Sequence, residues 1–117
     1  MKRILFVDDE PLVLRGLRNL LHADRRRWEM VFAVGGDAAL EELAKARFDV
    51  IVSDLRMPGM DGLALLRSVQ ASYPHVARMV LSGYAEPATL EAATALAHTV
   101  LAKPCDSQTL RSAIEAL

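Results

Sequence analysis

The chain has 117 residues, about half of them hydrophobic (52%) and a quarter charged (25%), which suits one domain able to bury a core without a disulfide or a structural metal. Its 14 basic and 15 acidic residues leave a net charge of -1, so there is no general attraction to nucleic acid or acidic membranes. The single cysteine, Cys105, excludes an internal disulfide and fits a reducing compartment, and no apolar run approaches the roughly 20 residues that cross a bilayer. Ile4 to Val7 after Met1-Lys2-Arg3 is too short for a signal sequence, so the expectation is a cytoplasmic protein with one domain over 1–117.

Short apolar runs alternate with segments of helical period. Ile4-Leu5-Phe6-Val7 reads as a strand that stops at Asp8-Asp9. Pro11 suits the first turn of a helix in which Leu12, Leu14, Leu17, Leu20 and Leu21 recur at helical spacing. Met30 to Val34 is a second strand ended by Gly35-Gly36, and Asp37 is placed to cap a helix carrying Leu40, Leu43 and Ala44. Val50 to Val52 is a third strand, closing at Ser53-Asp54. The breakers from Met57 to Gly62 form a loop, and Leu63 to Ala71 is amphipathic. Ala77 to Leu81 is a fourth strand ending at Ser82-Gly83; Pro87 opens an alanine-rich helix to about Ala97; Thr99 to Ala102 is a fifth strand ending at Lys103-Pro104. Asp106 or Ser107 caps the last helix.

Five short, nearly all-apolar strands alternating with five helices predict an α/β fold, a parallel sheet sandwiched by helices. Ligands of such sheets bind outside the carboxyl ends of the strands. Those ends here carry Asp8-Asp9, Asp54, Ser82 and Lys103. Three carboxylates at one rim repel one another unless a cation compensates, and an all-oxygen donor set suits magnesium; no Cys/His cluster has zinc spacing. A carboxylate can also be a nucleophile that forms an aspartyl phosphate, and Asp54, at the end of a central strand, is the best candidate. Lys103 would neutralise phosphoryl oxygens, while Ser82 and the backbone N–H groups near Leu55 and Gly83 would donate hydrogen bonds.

Val7-Asp8-Asp9-Glu10, Ser53-Asp54 followed by Met57-Pro58-Gly59-Met60-Asp61-Gly62, Leu81-Ser82-Gly83 and Lys103-Pro104, in that order, resemble the receiver domain of two-component response regulators over essentially the whole chain. The resemblance implies a flavodoxin-like (βα)5 fold with strand order 2-1-3-4-5. It implies that Asp54 is the phosphoacceptor, and that Asp8, Asp9, Asp54 and the Arg56 backbone carbonyl bind Mg2+. Ser82 becomes the switch hydroxyl and Lys103 the contact to the phosphoryl group. The implied donor is a histidine on a sensor kinase or phosphotransfer protein. Phosphorylation then biases the surface from Pro87 to Leu117, covering the fourth helix, fifth strand and fifth helix. A homodimer, or an output domain of the HD-type phosphohydrolase kind or a related one, fits as a further partner; nucleic acid and membrane do not. Two features set this chain apart. Val100 stands where the family often has an aromatic switch residue, and Arg56 and Tyr84 flank the site, where their bulk is expected to govern water access and phosphate lifetime.

Several residues carry plainer readings. Asp61-Gly62 reads as a turn and helix start, Arg25-Arg26-Arg27 as a solvated surface, Met57 and Met60 as loop packing, Cys105 as a structural thiol and Trp28 as a partly buried anchor. A proline after Lys103, in a cis bond, would fix a turn. His22, His75 and His98 have no ligand spacing. A turnover hydrolase would want a second carboxylate two residues after Asp54, where Arg56 stands. A pseudo-receiver would not keep all five polar residues, and a dinucleotide domain would need a G-x-G-x-x-G after the first strand.

Overall fold

A computed structural model describes residues 1–57, 61–83 and 86–117. The elements are β1 (Lys2–Asp8), α1 (Pro11–Leu20), a 3-10 turn (His22–Asp24), β2 (Trp28–Val34), α2 (Gly36–Lys45), β3 (Val50–Asp54), α3 (Gly62–Ser72), β4 (Ala77–Ser82), α4 (Pro87–Leu96), β5 (Thr99–Ala102) and α5 (Ser107–Glu115). The strands form one parallel sheet in the order β2-β1-β3-β4-β5. The α/β sandwich and its strand order are therefore as expected.

Alternation along the strands divides the core. Ile4, Phe6, Val52, Met79 and Leu81 face α1 and α5, meeting Leu14, Leu110 and Ile114. Leu5, Val7 and Ile51 face the other way, onto Ala39 and Leu43 of α2 and Leu65 and Val69 of α3. Leu55, Leu66, Val80 and Ala93 close the α3–α4 side, where Val100 packs half-buried against them. Two helices thus cover one face and three the other.

Several boundaries differ from expectation for identifiable reasons. β2 begins at Trp28 because Lys2 of β1 pairs with it in register, and Trp28 is buried, not partly buried. Gly35, at φ 86°, is the N-cap of α2; Asp37 sits inside the first turn, where its charge still favours the helix dipole. Asp106, not Ser107, caps α5, accepting from the Thr109 N–H at 2.7 Å. Leu12 and Leu20 of the α1 stripe are 74% and 41% exposed, since the inward face of that helix is Leu14, Leu17 and Leu21. The Lys103–Pro104 peptide is cis.

Two buried charges organise the periphery. Asp24 accepts from the guanidinium groups of Arg27 (2.9 Å) and Arg111 (2.7 Å), and Arg111 also donates to the Leu20 carbonyl at 3.0 Å, joining the α1–β2 corner to α5. Arg27 continues to Glu115 at 2.6 Å, so the expected solvated surface at Arg25–Arg27 is partly an ion-pair seat. Lys2 adds a third tie, donating to the Ile114 and Leu117 carbonyls at the end of α5. Arg78 is buried with no carboxylate partner among the described residues and donates instead to the Leu96 carbonyl (2.7 Å) and the Val76 carbonyl (3.1 Å), fastening the last turn of α4 to β4. Its own N–H donates to His98 Nδ1 at 3.0 Å.

Candidate phosphoryl and metal site

The site is built by strand ends. Because β1 and β3 run parallel and adjacent, with Val7 opposite Ser53, their last residues emerge side by side at the carboxyl rim. Asp8, Asp9 and Asp54 each bring one carboxylate oxygen to a spot where all three lie within 4.8 Å of one another. Asp8 is buried, Asp9 and Asp54 half-buried. An all-oxygen set of this density fits a hard divalent cation such as Mg2+.

Lys103 follows β5 and reaches across β4 to the same spot. Its Nζ lies 3.5 Å from Asp8 Oδ2 and 3.6 Å from Asp54 Oδ2, an ammonium shared between two carboxylates. Its placement begins in the backbone, where the Lys103 N–H donates to the Ser82 carbonyl at 2.7 Å and continues the β4–β5 ladder past Ala102. Ser82 is thereby fixed beside the lysine, buried at the end of β4. The structure thus brings Asp8, Asp9, Asp54 and Lys103 into direct proximity and sets Ser82 at the adjoining strand end. Arg56 is exposed and lines a cleft of about 670 Å³ with Asp9, Leu55, Met57, Asp61, Glu86 and Thr89, which opens the site to solvent. Tyr84, Pro58, Gly59 and Met60 lie outside the described residues.

The electrostatics favour a cation. Burial pushes the Asp8 carboxyl up from its ordinary value; the Glu10 N–H (3.0 Å) and the Lys103 charge oppose the rise, while Asp9 and Asp54 add to it. A carboxylate held in that balance gains from any further positive charge placed among the three.

Two contributors had no clear sequence signal. The Glu10 N–H that steadies Asp8 follows only from the backbone path. Gly62 reads as a breaker, yet its position is set by close approach. A Cβ there would fall well inside contact distance of the Asp54 carbonyl oxygen and 2.6 Å from Leu55 Cα, and the Gly62 N–H donates to the Leu55 carbonyl at 3.0 Å. Asp61 has the structural job expected of it, capping α3 by accepting from the Ala64 N–H at 2.8 Å. Met57 is buried in the cluster with Val7, Ala39 and Leu65, and Cys105 is a half-buried thiol whose ionisation burial opposes.

Comparison with known proteins agrees with the fold. Residues 4–115 match the family model described as the response regulator receiver domain. The chain is 33% identical over 117 residues to an uncharacterized transcriptional regulatory protein, YesN, of Bacillus subtilis, an alignment covering 98% of this chain and 32% of that one. The chain spans about a quarter to a third of the length of such curated relatives. Among solved structures, the signal receiver domain of an HD domain-containing protein from Pseudomonas fluorescens superposes with a TM-score of 0.92 at 30% identity, covering 98% of this chain and 92% of that chain. The response regulator TrrA of Thermotoga maritima, solved in complex with Mg(2+)-BeF, gives 0.85 at 25% identity, covering 99% and 98% of the two chains.

Proposed function

Since the chain belongs to the response regulator receiver domains, signalling switches of two-component systems whose function is to accept a phosphoryl group, we propose that Asp54 is the acceptor and that the remaining rim residues serve it. The observation that carries this is the convergence of Asp8, Asp9 and Asp54 within 4.8 Å, with Lys103 at 3.5 and 3.6 Å from two of them.

Asp8, Asp9, Asp54 and the Arg56 backbone carbonyl would hold Mg2+, which when bound supplies positive charge against the incoming phosphoryl oxygens. An Asp54 carboxylate oxygen attacks the phosphorus of a phosphohistidine, the P–N bond breaks, and the donor histidine departs. Lys103 Nζ moves from bridging carboxylates to contacting the phosphoryl group, and the Ser82 hydroxyl donates to one of its oxygens. Because the phosphoryl group adds about -1.5 to -2 charge at the rim, these contacts favour one arrangement of the surface formed by α4, β5 and α5. Val100, small and packed beneath α4, makes an aromatic flip no part of that change. Arg56, at the mouth of the cleft, meters the water that hydrolyses the phosphate.

The donor is a sensor histidine kinase or phosphotransfer protein, and 1–117 acts as one cytoplasmic receiver unit without turnover chemistry of its own on other substrates. Among outputs, an HD-type domain is favoured by the likeness to the Pseudomonas fluorescens receiver.

The test is the rate of phosphoryl uptake from acetyl phosphate as Mg2+ is titrated. Asp9→Asn is expected to raise the Mg2+ needed for half-maximal rate by at least about tenfold, the scale seen when even an outer-shell partner of a metal is lost. Lys103→Ala should slow uptake about 10²-fold at saturating Mg2+, as for removal of one preorganised charge-stabilising group. An unchanged Mg2+ requirement in Asp9→Asn would place the metal elsewhere.

A further inference from the structure

Away from the rim, charge on α1 is one-sided. The helix has no acidic residue, and Arg15 and Arg18 stand on its β2-facing side, continued one turn on by His22 and then Arg25. Arg15 and Arg18 line a hollow of about 250 Å³ over Phe32 and Val34; Arg18, His22, Arg25 and Glu29 line a second of about 350 Å³ over Trp28, Met30 and Phe32. The two hollows share Arg18 and Phe32, so they form one groove between α1 and β2. Its floor is the alternate residues Met30, Phe32 and Val34 of an edge strand, with Val34 50% exposed. This is also the face of the sheet that only two helices cover.

Among the described residues no carboxylate lies within salt-bridge distance of Arg15, Arg18 or Arg25. Of the acids beside the groove, Glu29 is paired to Arg3, and Asp24 to Arg27 and Arg111. Arg18 lies over the Phe32 ring at 4.8 Å, so the apolar floor is offered chiefly by Met30 and Val34 on either side of it.

We propose that this groove docks an acidic amphipathic helix of a partner protein, distinct from the phosphoryl site. The wall supplies guanidinium and imidazole groups at one-turn intervals, matched by carboxylates at the same spacing, and guanidinium groups suit bidentate carboxylate recognition. The floor takes the apolar face, the helix-in-groove mode of recognition. From Met30 to Val34 the floor runs about 13 Å at the usual strand rise, close to two and a half turns of helix. A nucleic acid fits less well, because a phosphate backbone laid along the cations would leave the apolar Met30 and Val34 uncovered.

The test uses the 117-residue chain, labelled with 15N. The probe is a 14-residue capped peptide with Glu at one-turn spacing along one edge of a Leu face. A sequence-scrambled peptide and a 14-nucleotide oligothymidylate are run beside it. The expected result is saturable amide shifts confined to residues 11–34 with the patterned peptide only. In the charge-reversed variant Arg15→Glu/Arg25→Glu, which alters two exposed side chains, the Kd should rise at least tenfold. That variant should keep the wild-type spectrum elsewhere and the wild-type rate of phosphoryl uptake from acetyl phosphate, so that docking and phosphoryl chemistry are read separately. Absence of shifts in 11–34, affinity unchanged by charge reversal, or shifts there with the oligothymidylate alone would overturn the proposal.

Discussion

Replacing Gly62 by alanine is expected to destabilise the protein by about 3 kcal/mol, the upper range for forcing one methyl into a packed position. The added Cβ would overlap the Asp54 carbonyl oxygen and approach Leu55 Cα to 2.6 Å, and both obstacles are backbone. No side-chain rotation relieves such a contact, so either α3 lifts from the end of β3 or the Asp54–Leu55 peptide moves. The usual preference for alanine over glycine inside a helix, about 1 kcal/mol, is too small to offset this. Because the displaced peptide carries the Asp54 side chain, phosphoryl uptake per folded molecule should fall as well. Urea unfolding measures the first effect and acetyl phosphate kinetics the second. Stability equal to wild type would show that the entry of α3 is not fixed by this contact.

The second large effect is expected at Asp24. Its side chain is 7% exposed and bound by two guanidinium groups, of which Arg27 is 45% exposed and Arg111 22%. Removing one member of a fully buried ion pair costs about 3–5 kcal/mol, because the remaining charge is left without compensation. Here the arginines retain access to water, so Asp24→Asn should cost about 2 kcal/mol, below that range. Burial alone would raise the Asp24 carboxyl, but hydrogen bonds from Arg111 and then Arg27 outweigh it and hold the group below the ordinary range. The folded state therefore favours the charged form. The stability it contributes is complete above the ordinary aspartate value of about 3.9 and is lost as pH falls through the lower folded-state value. Urea unfolding of wild type and Asp24→Asn should accordingly differ at pH 7 and converge in strong acid. A difference that persists undiminished in strong acid would show that shape, not charge, is what Asp24 provides.

Much of the fold could be read from the chain because its strands are buried on both faces and its helices on one. Val50-Ile51-Val52 and Met79-Val80-Leu81 are continuous apolar runs, and in the structure they are the central strands. The rim was legible for the same reason: each apolar run ends on the polar residue that emerges beside its neighbours. What escaped the sequence depends on partners distant along the chain. Asp24 looks like one acid before an arginine run, and only the return of α5 brings Arg111, 87 residues on, to its carboxylate. Arg78 reads as the polar start of a strand, yet it is buried because α4 ends over it and offers the Leu96 carbonyl. Leu12 belongs to an apolar helical stripe but points away from the sheet. Periodicity gives the stripe, and only packing decides which of its members are covered.

The most direct test of Asp54 as the acceptor is the intact mass of the protein after incubation with acetyl phosphate, with and without Mg2+, beside the Asp54→Asn variant. The expected result is a gain of one phosphoryl group by wild type that requires Mg2+, with none by the variant. A Mg2+-dependent gain by folded Asp54→Asn equal to that of wild type would contradict the assignment and place the acceptor on another residue.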